Sequence, residues 1–115
     1  MRKTCTIIIL LILPVMIIGS CNKTSTAPPS PCDGVDKNFS IHVNPIIQTF
    51  CNQAACHNPG STNGPGQLTI YAEIFNNRAA IKAQVEAGLM PQNTTLTAAQ
   101  KNSIICWIES GAPNN

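Results

Sequence analysis

Cys51-Asn52-Gln53-Ala54-Ala55-Cys56-His57 is the stretch that most constrains what this chain can fold into. Two thiols followed directly by an imidazole can add to the two vinyl groups of a porphyrin and bind its iron from one side. A domain built round such a run must pack its helices against a flat apolar ring as well as against one another. Four residues separate the cysteines here, where the usual attachment run has two. The same residues also suit a haem-free protein with a Cys51–Cys56 disulfide, acting as a binding or spacer module, and this stands as the alternative. A zinc site from Cys51, Cys56 and His57 would need a fourth ligand and a reducing environment.

The N-terminus speaks to compartment. Arg2 and Lys3 precede a nearly continuous apolar run, Ile7 to Ile18, interrupted by Pro14. The run is shorter than the roughly 20 residues a spanning helix needs, and it reads as the core of a secretory signal. Ile18-Gly19-Ser20-Cys21 puts small residues before a cysteine, as in a bacterial lipobox. Residues 1–20 are therefore expected to be a lipoprotein signal peptide, and Cys21 the lipidated new N-terminus. The chain is expected to be exported and lipid-anchored in a bacterial cell envelope, with the membrane engaged through the anchor.

Residues 21–37 form a Pro/Ser/Thr-rich tether without apolar periodicity. The folded domain is expected over 38–115. Once the signal is removed, Lys23, Lys37, Arg78, Lys82 and Lys101 balance the 5 acidic residues. The whole-chain charge of +2 thus belongs to the signal, and the balance excludes nucleic acid as an expected partner.

The domain has few large side chains: Phe39, Phe50, Tyr71, Phe75 and Trp107 are its aromatics. A core this small gains from a staple such as a disulfide, a metal or a cofactor. The periodicity predicts an all-α fold. A first helix, capped at Ser40 or Asn44 with Pro45 in its opening turn, leads into Cys51. A second helical region covers about 70–87, broken near Asn76-Asn77 and stopped by Gly88. The last helix starts at Thr97, with Gln100 completing a capping box, and Ile104, Ile105, Trp107 and Ile108 form its apolar face. Residues 58–67 must be loop.

This order resembles class I cytochromes c. It is most similar to the small cytochrome c-like domains of bacterial lipoproteins and planctomycete-type cytochromes, including Bacteroidetes-like forms with a C-x4-C-H run. The residues that carry the resemblance are Val43-Asn44-Pro45-Ile46-Ile47, Cys51 to His57, Leu89-Met90-Pro91, and Trp107 through Asn115. It implies N- and C-terminal helices packed around one covalent haem c. It also implies an electron carrier, not an enzyme, serving redox protein partners in the cell envelope.

Met90 then becomes the expected sixth ligand opposite His57, since a thioether favours a low-spin iron of raised potential. Met90 is the only methionine outside the signal peptide. His42, the other histidine, stands too close to Cys51 in sequence to reach the far face of the ring easily, and a place at the helix start suits it better. An open sixth position would suit a peroxidase or a sensor, but no Arg or His cluster for peroxide chemistry accompanies Met90. Cys32 and Cys106 remain after Cys5, Cys21, Cys51 and Cys56 have roles. In an exported protein such thiols oxidise. The helix crossing of class I cytochromes would bring this pair together.

Overall fold

Asn38 opens the first helical segment: its side chain accepts a hydrogen bond from the Ile41 amide at 3.1 Å. The computed structural model describes residues 30–115; the expected signal peptide, the lipidation site Cys21 and tether residues 21–29 lie outside them. A π-helical turn, Phe39–Val43, runs directly into helix α1, Asn44–Phe50, with Pro45 in its first turn. The cap is therefore Asn38. Ser40 and Asn44, the capping residues expected from sequence, lie within the continuous helical stretch.

Helices α2, Tyr71–Asn76, and α3, Arg78–Glu86, are separated at Asn77, where the sequence places the break. Gly88 ends α3. The Gly88 amide donates to the Val85 carbonyl at 3.2 Å and the Leu89 amide to the Gln84 carbonyl at 3.0 Å. This paired closure requires a left-handed residue, and Gly88 supplies it with φ +69°. Helix α4, Ala98–Glu109, begins in the expected capping box: Thr97 Oγ1 accepts from the Gln100 amide, and Gln100 Oε1 from the Thr97 amide. Among the described residues there are no strands, so the domain is all-α. No described helix is long and apolar enough to cross a membrane.

The core lies where the π-helical turn and α1 meet α3 and α4. Val43, Ile47, Ile74, Ile104 and Trp107 are fully buried. Each such side chain contributes about 1.5–3 kcal/mol of burial free energy. Phe39 packs at 5.0 Å from Tyr71 and 5.1 Å from Trp107, centroid to centroid.

The chain end folds back over this aromatic cluster. Trp107 Nε1 donates to the Pro113 carbonyl, and the Tyr71 hydroxyl to the Ala112 carbonyl, both at 2.9 Å. Asn115 accepts from the amides of Phe39 and Ser40, satisfying donors that a helix start leaves open. The Trp107–Asn115 run is thus a clasp joining the two ends of the domain.

Residues 30–37, on the tether side of the expected boundary, are held against α4. The Cys32 and Cys106 sulfurs are bonded, with Cα atoms 5.3 Å apart, inside the range a disulfide requires. Lys37 Nζ donates to the Cys32 carbonyl at 3.1 Å. Helices α3 and α4 are tied further by Lys82, which pairs with Glu109 at 2.8 Å and Glu86 at 3.5 Å.

Candidate functional site

A cavity of about 870 Å³ opens between the loop that follows α1 and the face of α3. Cys51, Cys56, His57 and Met90 all line it. They come from two stretches of chain: α1 delivers Cys51, and the Gly88 turn brings Met90 back beside α3. Phe50, Leu68, Ile81 and Val85 supply apolar wall. Volumes of about 300–1,000 Å³ are typical of sites that enclose a small molecule or cofactor.

The four residues between the cysteines close as a turn. The Cys56 amide donates to the Gln53 carbonyl at 2.9 Å, and the His57 amide to the Cys51 carbonyl at 3.1 Å. Ala55, the last of those four residues, has φ 64°. A left-handed alanine costs roughly 1–2 kcal/mol relative to its ordinary conformations. The longer spacing is therefore absorbed locally, and Cys51 and His57 stay adjacent.

His57 is buried, and its ring is fixed. Nδ1 lies 2.7 Å from the Gly66 carbonyl oxygen, which can only accept, so Nδ1 carries the proton. That leaves Nε2 as the basic nitrogen available to a metal. The loop holding this carbonyl is pinned in turn. The Leu68 amide donates to the His57 carbonyl at 2.9 Å. The Glu73 carboxylate accepts from the Thr69 and Ile70 amides at 2.8 and 3.2 Å, from Thr69 Oγ1 at 2.9 Å, and from Gln67 Nε2. The Thr69 amide foremost holds the Glu73 carboxyl below the usual carboxylate range.

Cys51 and Cys56 are both free thiols, the first buried and the second half-buried. Burial, reinforced by the neighbouring Cys56, pushes the Cys51 thiol up to about 11. It keeps its proton at neutral pH and is a poor thiolate ligand there.

His42 does not line the cavity. It sits in the π-helical turn, with a buried Nδ1 that finds no hydrogen-bond partner. Sequence reading missed Gly66, the partner of His57, and Asn77 with the α3 residues Ala80, Ile81, Gln84 and Val85 that face the cavity. Their helical spacing was the available signal: they fall on one side of α3. Comparison with family models, with curated proteins and with solved structures gives no match for this chain.

Proposed function

We propose that this chain is a one-electron carrier of cytochrome c-like fold, holding one covalent haem c in the cavity between α3 and the 51–68 loop. The reading rests on one observation above the others: Cys51, Cys56, His57 and Met90 line the same cavity. Two free thiols, an imidazole with its proton fixed on Nδ1, and a thioether fit the needs of the group. In this reading Cys51 and Cys56 would hold the group through thioether links, and His57 Nε2 and Met90 Sδ would ligate its iron. The group, when bound, supplies a reversible one-electron couple. The protein's own work is to fix the imidazole through Gly66, present the thioether on the Gly88–Pro91 loop, and keep water away with Phe50, Leu68, Ile81 and Val85. With His57 and Met90 both committed to the iron, a substrate would find no place on it, which is why the reading is a carrier and not an enzyme.

The N-terminal sequence adds that the carrier is exported and held at the membrane of a bacterial cell envelope by lipid on Cys21, meeting redox proteins there. In a haem-maturation-competent host, the protein should give the sharp reduced-minus-oxidised bands of a six-coordinate, low-spin haem. A featureless difference spectrum would overturn the proposal.

A further inference from the structure

Charge is distributed very unevenly along this chain. From Asn38 to Ala72, and again from Ala87 to Gln100, there is no Asp, Glu, Lys or Arg. These two stretches supply the loops that border the cavity. The charged residues of α3 turn elsewhere: Arg78 lies over the Phe75 ring at 4.0 Å, and Lys82 and Glu86 pair on the side tied to α4. No residue lining the cavity carries a charged Asp, Glu, Lys or Arg side chain. Its solvent-exposed border includes Asn63, Gly64, Pro65, Gln84 and Gln92. Leu89, 59% exposed, stands next to Met90 in the chain.

We propose that the cavity mouth docks a redox protein whose own contact surface is uncharged, with Leu89 as an apolar anchor. This rests on the electron-carrier reading above. A charged partner surface would lose water here and meet no protein counter-charge, which disfavours such a contact. An exposed leucine in a stretch of chain without charged residues suits a contact that excludes water without needing ion pairs. Recognition then comes from shape and apolar burial, and long-range steering contributes little.

The test uses the full-length, haem-bearing chain in non-ionic detergent, reduced and mixed with oxidised blue-copper proteins. One probe has uncharged side chains over its copper edge, the other an acidic patch there. One electron leaves ferrous iron and reduces Cu(II) to Cu(I). The uncharged probe should react faster. Its rate should change less than about twofold between about 0.01 M and 1 M salt, across which the Debye length falls from about 30 to about 3 Å. Leu89→Glu should slow that reaction several-fold more than Leu89→Gln does. Faster reaction with the acidic probe, a steep salt dependence with the uncharged one, or an unaltered rate in Leu89→Glu would each overturn the inference. A preparation without a haem spectrum fails earlier, and refutes the carrier reading itself.

Discussion

His57 Nδ1 stands 2.7 Å from the Gly66 carbonyl oxygen, so one backbone group sets both the orientation and the tautomer of the imidazole. Gly66 can present that carbonyl because its φ is +86°, a conformation closed to most residues. A Cβ there would also lie 3.4 Å from the Ser61 carbonyl oxygen. Gly66→Ala should destabilise the domain by about 1–2 kcal/mol. It should also weaken imidazole ligation, seen as a lower denaturant midpoint together with an altered Soret band. Ala55→Gly, at a left-handed position of the site that carries a Cβ, should do the reverse and raise stability by about 0.5–1 kcal/mol. Equal stability in all three proteins would mean that the loop conformation carries no strain.

Met90 is brought to the cavity by the paired hydrogen bonds that close α3 at Gly88. Met90→Ala should abolish the weak near-infrared band of sulfur-to-iron coordination and open the iron to carbon monoxide or cyanide. The reduction potential should fall, since loss of the thioether favours ferric iron. An unchanged spectrum and potential would assign the sixth position to another group.

Cys32–Cys106 closes a loop across 74 positions. On the chain-entropy account, its removal costs roughly 4 kcal/mol. Cys32→Ser and Cys106→Ser should each lower the urea midpoint. Reduction of the native protein should produce the same loss, and should leave the two serine variants unmoved.

Glu73 gives the domain an acid-sensitive link. Its carboxyl titrates lower in the folded chain than in the unfolded one, because backbone and side-chain donors favour the ionised form. The stabilisation is complete above the unfolded carboxylate range and is lost as pH falls through the lower, folded value. Glu73→Gln should flatten this part of the acid-unfolding curve and loosen the 67–70 segment. An acid limb identical to that of the native protein would show that the contact carries no linkage.

Much of the helical plan was legible because its signals are local. Thr97 with Gln100, the Asn76-Asn77 break and the Gly88 stop each act within a turn of helix. The cap at Asn38 was hidden because the π-helical turn begins ahead of the periodic apolar residues, so Ser40 and Asn44 looked like the better starts. The left-handed Ala55 gave no signal, since only its tertiary setting imposes a conformation that its side chain disfavours. The clasp from Ala112 and Asn115 to Tyr71 and Phe39 was equally illegible: its partners are distant in sequence, and its bonds use backbone atoms. Within the site, the cysteines, His57 and Met90 stood out by residue type and position. Gly66 did not, because its contribution is a carbonyl that every residue possesses.

Covalent attachment at Cys51 and Cys56 is the central claim, and haem staining after denaturing gel electrophoresis tests it most directly. Protein from a maturation-competent host should carry stain on the polypeptide band. The stain should weaken in Cys51→Ala and in Cys56→Ala, and vanish when both are replaced. A colourless native band from that host would contradict the account.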